Sequence, residues 1–410
     1  DVTSEPSMET SGDLQPVSHI DVPEWPSTWI SMCSPMSGYL CSSLGSGLLR
    51  AVNVSILMQR FGGGLANSAG NNQNYSLSKE VQQIDDFISH TWQTGRWVKF
   101  LTLCMVYNLN AATAASWLAA LVVFVLELDA VSVLPKTIEM QVLHGGESYC
   151  ALRGYWTILI CPIVFLTFAL FWTSLWRSPM VFMDKWCIHQ TNPALKTAGI
   201  LRLAGFLRHT ERLVVLWTPE YLNRLWCSYE LATWIYLGKS NTCFVPVNLA
   251  AFVVTWNFGV FVFFALSLFV SALQVASGSL VFVIILLYVA MLPPLLAACV
   301  QWCVRDLVKL SDQLATFSVQ SARCFCCDVG HVDPLTKRSI PCDRQLVHRA
   351  LEERFVACAG ATSLEGDPAT SHLDFFDGLV RNLVVAHLQP FGYYRLPYSL
   401  AVTMASPCVW

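Results

Sequence analysis

The chain has 410 residues, of which 54% are hydrophobic and only 13% charged; a soluble domain with an ordinary polar surface does not show this balance, so a membrane protein is expected. Membrane segments would use much of that length, leaving one modest soluble domain. A net charge of −3, evenly spread, gives no footprint for nucleic acid or for any strongly charged partner.

Residues 1–80 are rich in Ser, Pro, Gly and Asn, as in "FGGGLANSAGNNQN", and read as a mostly disordered tail. The exception is "LLRAVNVSILMQRF", a short amphipathic helix that packs on the domain or lies on a membrane. A strand and helix of a soluble domain follow over 81–110. Two apolar runs, 111–134 and 155–176, then form a first transmembrane hairpin within 111–176, joined by "KTIEMQVLHGGESYCALRG". Soluble core returns over 177–250, and a second hairpin over 251–304 has spans at 252–276 and 280–304, with Pro293 and Pro294 expected to kink the last. Trp156, Trp172, Trp176 and Trp302 stand near span ends, where indole favours the interface. Residues 305–358 would complete the soluble domain with a Cys-rich piece, and 359–410 show no clear pattern.

Each hairpin returns the chain to the side it left, so the pieces at 81–110, 177–248 and 305 onward share one side. That side carries Arg96, Lys99, Arg177, Lys185, Lys239, Arg305 and Lys309, against Lys136 and Arg153 on the other, which predicts an integral multipass protein with a cytosolic domain. The sixteen cysteines lie mostly singly in apolar segments or in the expected core, such as Cys161, Cys187 and Cys227, which fits reduced thiols better than a disulfide framework.

Joined together, the soluble pieces give β-branched or aromatic runs at 84–88, 180–184, 213–217 and 243–248 alternating with helical patterns, the mark of an α/β, doubly wound parallel sheet. In such folds the ligand sits beyond the carboxyl ends of the strands, here 89–93, 184–192 and 218–221. The helix "RLWCSYELATW" follows the third of these loops. On it Cys227, Leu231 and Trp234 share an apolar face, while Trp226, Glu230 and Thr233 form the flanking stripe, so Glu230 stands at the border of core and solvent. A helical Glu in that position is either a surface acid or a cleft acid.

"DDFISHTW", "VFMDKW", "LVVLWTPEYLNRLWCSYELATW" and "CFVPVNL" resemble, in order and spacing, the TIR domain of the STIR superfamily, and "DKWCIHQ" is similar to the Asp-x-x-Cys-Ile-x-Gln stretch of the fungal HET domain. The resemblance covers about 120 residues outside the spans and is most specific in the "TPEYL" and "LWCSYEL" block. It implies a flavodoxin-like, TIR-like domain interrupted by two transmembrane hairpins, used in immune or cell-death signalling, acting by self-association and often by cleaving NAD+ as substrate. It implies that Glu230 is the catalytic acid and that 185–199 is the loop that mediates assembly and gates the site. TIR enzymes commonly carry an Arg-Gly-x-Asp-like turn after the first strand; here the turn reads "SHTWQTGRW". Nucleotide contacts would then come from Ser89, His90 and Trp92, with Asp184 and Trp226 as further candidates. Each has a plainer alternative: His90 as a cap or core histidine, Asp184 as a loop hydrogen-bond acceptor, Trp226 as packing.

Cleavage of the nicotinamide N-glycosidic bond develops positive charge on the ribose, which a carboxylate stabilises without a metal. The expected function is therefore a membrane protein with a cytosolic TIR-like NAD+ glycohydrolase, active when clustered in the bilayer. The rival is a catalytically silent TIR-like adaptor or scaffold. A transporter is disfavoured because the spans hold few ionisable residues.

In "RCFCCDVGHVDPLTKRSIPCDRQLVHRALEERF", Cys324, Cys327, His331 and Cys342 could supply four tetrahedral zinc ligands. The alternative makes "CFCC" a buried strand of the same sheet and "DRQLVHRALEERF" the next helix, with Asp343 as its N-cap.

Overall fold

The computed structural model describes residues 48–348, except 132, 136–137, 145–146, 154, 177, 273–277, 333–336, 338, 341 and 346, together with 377–378 and 398–409. In chain order its main elements begin with β1 (Arg50–Asn53), β2 (Lys79–Glu80), β3 (Ile84–His90), α1 (Arg96–Tyr107), α2 (Leu109–Glu127), β4 (Ile138–His144) and β5 (Glu147–Arg153). There follow α3 (Trp156–Leu175), β6 (Met180–Phe182), α4 (Pro193–Leu201), β7 (Thr210–Trp217), α5 (Leu225–Tyr236) and β8 (Thr242–Pro246). The last are α6 (Val247–Ala272), α7 (Gly278–Ala315) and α8 (Tyr398–Val409).

Six strands form one sheet in the order β2-β1-β6-β3-β7-β8. The four strands expected from the apolar runs are its parallel part, with β3 flanked by β6 and β7, and β7 by β8. Burial is almost unbroken along β3 and β7, as apolar strands need when both faces of a sheet are covered. Asp86 is a buried charged residue in β3; Arg212 of β7 holds both of its oxygens, at 2.7 and 2.8 Å.

The sheet is not purely parallel. Strand β1 pairs antiparallel with β6 and with β2, so residues 50–80 belong to the domain rather than to a tail. Ala51 and Val52 are fully buried, and Asn53 accepts the Ser55 backbone N–H at 2.9 Å while its amide donates to the Ser178 carbonyl. The Gly- and Asn-rich stretch that follows hides this short apolar strand from a reading by composition. Residues 1–47, the rest of the expected tail, and most of 359–410 lie outside the described residues.

Among the described residues four helices are long and apolar enough to cross a membrane, α2, α3, α6 and α7, as in a multipass membrane protein. Leu118, Phe124, Ile163, Phe258, Leu287 and Met291 on them are each more than half exposed, a surface that lipid accepts and water does not. The first span ends at Glu127 instead of running to 134, because the acid closes the apolar run. The connection from α2 to α3 holds an antiparallel hairpin of β4 and β5, paired from Ile138 with Arg153 to His144 with Glu147. Strands β3 and β6 are neighbours although α2 and α3 separate them in sequence, so this pair of helices leaves the sheet and comes back to it.

Helix α6 starts at Val247, directly after β8. Helix α7 continues through Pro293 and Pro294, without a break at the expected kink, to Ala315, well past its apolar stretch. At that end Asn248 donates to Asp306 at 2.5 Å and Gln313 to the Pro219 carbonyl, which fastens the rod to the sheet domain. Helix α8 packs on α2 and α6: Thr403 bonds Thr113 at 2.7 Å, Trp117 donates to Ser406, and Trp256 donates to the Met404 carbonyl.

Candidate active site and metal centre

The carboxyl ends of β3 and β6 and the start of α5, the helix after β7, line one cavity of about 620 Å³. It lies where the strand order changes direction, because β6 follows β3 in the chain on one side and β7 follows on the other, and the loops diverge there. His90, Trp92, Asp184, Trp226 and Glu230 line it. Ser89 reaches it through a hydrogen bond: its hydroxyl donates to Glu230 Oε2 at 2.5 Å and shares a hydrogen with the Tyr221 hydroxyl at 2.6 Å. The six residues selected from the sequence thus surround a single space.

Glu230 is half-buried on the inner face of α5. Burial pushes its carboxyl from 4.5 up to about 8; the Ser89 hydrogen bond opposes the shift, and the nearby charge of Asp184 adds to it. The group is mostly a neutral acid at pH 7. Tyr221 is fully buried and its phenol is pushed well above 10 by the same loss of solvent, so it serves as a neutral hydrogen-bond partner.

The opposite side is built on Trp92. Its indole N–H donates to Asp184 Oδ2 at 2.9 Å, and its ring lies edge-on to His90 at 4.6 Å. Lys99 Nζ stands 4.6 Å from the same ring and Lys185 Nζ 5.8 Å from it. Lys99 is fully buried, and burial lowers its ammonium from 10.5 to about 8, with Asp184 opposing and Lys185 reinforcing. Burial also lowers His90 to about 4, so its ring is neutral, and its Nε2 has no partner among the described residues. Asp184 accepts from its own loop as well, through the Lys185 backbone N–H.

Several contributors were not selected from the sequence. Residues 66–68 line the cavity, held by Lys185 Nζ, which donates to the carbonyls of Gly64 at 2.8 Å and Asn67 at 2.9 Å. Gly64 permits that approach, since a Cβ there would sit 2.6 Å from the Trp186 ring. Arg323, Asp328 and Asp343 close the far wall. Tyr221 stands inside the "TPEYL" stretch, so the motif contained it; nothing in the pattern tied Lys99 to Trp92 or Asp343 to the cavity.

The far wall carries the cysteine cluster. The ligand atoms of Cys326, Cys327, His331 and Cys342 all lie within 4.8 Å of one another and could hold a metal ion. Cys326 therefore takes the place given to Cys324. Phe325–Asp328 is a helical turn, not the strand considered for "CFCC", and it carries Cys326 and Cys327 towards His331; Cys324 precedes it in extended backbone and packs against Cys326 at 3.4 Å. Helical residues resume at 343, so Cys342, not Asp343, stands at the N-terminal end. Burial alone would raise the Cys342 thiol, but the backbone N–H groups of Gln345 and Arg344, with His331 and Cys327, hold it at about 7. Asp343 instead accepts from the Trp226 indole at 3.2 Å.

No family model matches the chain, and no curated protein or solved structure matches it.

Proposed function

We propose that this is a multipass membrane protein whose sheet domain faces the cytosol, is flavodoxin-like and TIR-like, and cleaves NAD+ in the cavity beside Glu230. The observation that carries the reading is a carboxyl lining a cavity large enough for a nucleotide, bonded to one hydroxyl and to no cation among the described ion pairs. The parallel strand order β6-β3-β7-β8 and the position of the cavity at the carboxyl ends of β3 and β6 support a nucleotide site. The sequence resemblance supplies the substrate.

The neutral acid is suited to a cationic substrate. A pyridinium beside Glu230 favours loss of its proton, so the carboxylate forms where the ribose will become cationic. When the C1′–N bond breaks, its electron pair leaves with nicotinamide and Glu230 stabilises the ribosyl cation. Water then adds to C1′, and Glu230 takes the released proton, returning to its resting neutral state. Trp92, His90 and Asp184 would contact the rest of the nucleotide. Zinc is the ion we assign to the cysteine and histidine cluster, in a structural role. Clustering of the domain in the bilayer would bring copies of the 185–199 loop together.

One observation favours the rival scaffold: Ser89, Tyr221 and Glu230 already satisfy one another, as a purely structural polar network would. NAD+ consumption by the full chain in detergent decides between them. Glu230→Gln is expected to lower the rate at least about 100-fold, the scale seen when one electrostatic stabiliser is removed. An unchanged rate would take Glu230 out of the chemistry, and no consumption at any protein density would favour the scaffold.

A further inference from the structure

We propose that zinc bound by Cys326, Cys327, His331 and Cys342 is a clamp that fixes the far wall of the Glu230 cavity, so that the cavity takes its ligand only when the metal is in place. This rests on the nucleotide reading only for what fills the cavity.

Two ligand distances match the ion, in a set whose ligand atoms all lie within 4.8 Å of one another. Zn–S bonds of about 2.3 Å and Zn–N bonds of about 2.0 Å at tetrahedral angles give S to S edges of about 3.8 Å and S to N edges of about 3.6 Å. Cys327 Sγ lies 3.8 Å from Cys342 Sγ and 3.6 Å from His331 Nε2. A disulfide would need about 2.05 Å. Three thiols and one imidazole suit zinc, while hard cations such as magnesium or calcium prefer oxygen. The backbone is also held for the purpose: His331 has φ 60°, in the left-handed region that a non-glycine residue avoids, next to Gly330 at φ 63°. Its N–H donates to the Cys326 carbonyl at 2.7 Å.

The cluster is joined to the cavity through the residues beside its ligands. Asp328 follows Cys327 and contacts Arg323 at 3.2 Å and Arg224 at 3.7 Å. Asp343 follows Cys342 and accepts from Trp226, one helical turn before Glu230. Two backbone bonds tie the same segment to the start of α5, Arg323 N–H to the Asn223 carbonyl at 2.7 Å and Leu225 N–H to the Arg323 carbonyl at 3.0 Å. The inner side of this wall joins the main core through Ala322, Cys324, Cys326 and Val347, whereas on its outer side Phe325 and Val332 are about half exposed, and it is this outer part that the metal would order.

The test uses the purified full chain in detergent. Metal analysis should find about one zinc per chain, lost in Cys342→Ser. Stripping with a chelator should speed hydrogen exchange of the Arg323 and Leu225 amides at least about ten-fold, reversed by Zn²⁺ and not by Mg²⁺, with NAD+ binding lost and regained in parallel. Should Cys342→Ser fail to fold, Asp343→Ala keeps all four ligands and removes the acceptor for the Trp226 indole; it should retain zinc and raise exchange across 225–228. Absence of zinc from the wild type overturns the proposal, as does stoichiometric zinc whose removal leaves exchange at 223–225 unchanged. Exchange that follows zinc while NAD+ binds neither form would uphold the clamp and overturn the nucleotide reading.

Discussion

Strand β3 meets an acid near each end, a buried one of its own and a half-buried one on α5, and the two are handled in opposite ways. Near its start Asp86, 3% exposed, is gripped by both arms of the Arg212 guanidinium. Near its finish Ser89 offers a single hydroxyl to Glu230, whose carboxyl burial has pushed to about 8. An ion pair supplies the first acid with charge compensation that water no longer gives. The second is left without it and stays neutral. A charge that is already matched has nothing left to offer a ligand, whereas an unmatched acid at the edge of a cavity can respond to a cation that arrives there.

Breaking the compensated end should cost most. Arg212→Ala leaves Asp86 buried and unpaired, and a loss of about 3–5 kcal/mol is expected in thermal unfolding. A loss under about 1 kcal/mol would mean that Asp86 is solvated and the contrast false. The uncompensated end should instead show in pH dependence. The folded Glu230 keeps its proton to about pH 8 while an unfolded glutamate releases it near 4.5, so the folded chain holds more protons across that window. Its contribution is complete at low pH and is lost as pH rises through 8. Between pH 6 and 9 the wild type should therefore lose roughly 1–3 kcal/mol relative to Glu230→Gln. A difference that stays flat with pH would place Glu230 in ordinary solvent. Ser89→Ala should have the smallest effect on stability, about 1 kcal/mol. Because the Ser89 bond favours the charged acid, removing it should also move the acid limb of NAD+ cleavage to higher pH; an unmoved limb would separate Ser89 from the Glu230 titration.

The parallel core was readable because its strands are short apolar runs between polar loops, and burial leaves such runs little choice. The stripe that Glu230 shares with Trp226 and Thr233 put it at the border of core and solvent and left surface acid and cleft acid open; only the TIR resemblance chose between them. The short antiparallel strand β1 was not readable, because Arg50–Asn53 sits between Gly- and Ser-rich stretches whose composition outweighs four residues. The β4–β5 hairpin had its alternation and a Gly-Gly pair between the two runs in plain view, yet it was read only as a connection between spans. Lys99 and Asp343 could not be found by pattern, since their places depend on contacts far along the chain, with Trp92 and Trp226. The choice between Cys324 and Cys326 turned on one helical turn, which spacing alone does not reveal.

Helix α7 runs 38 residues, roughly 57 Å at the usual rise, against a hydrocarbon layer of about 30 Å. From Asp306, where the apolar stretch ends, to Ala315 it stands roughly 14 Å clear, and the chain enters the cysteine wall at Cys324 soon after. Such a rod is a pointer set in the bilayer. Helices meet a change of a few Å in membrane thickness partly by tilting, and about 10° of tilt would swing the end of this one by about 2 Å. That is a large step for hydrogen bonds of 2.7 and 3.0 Å, such as those from the Arg323 N–H to the Asn223 carbonyl and from the Leu225 N–H to the Arg323 carbonyl, which tie the segment after this helix to the start of α5.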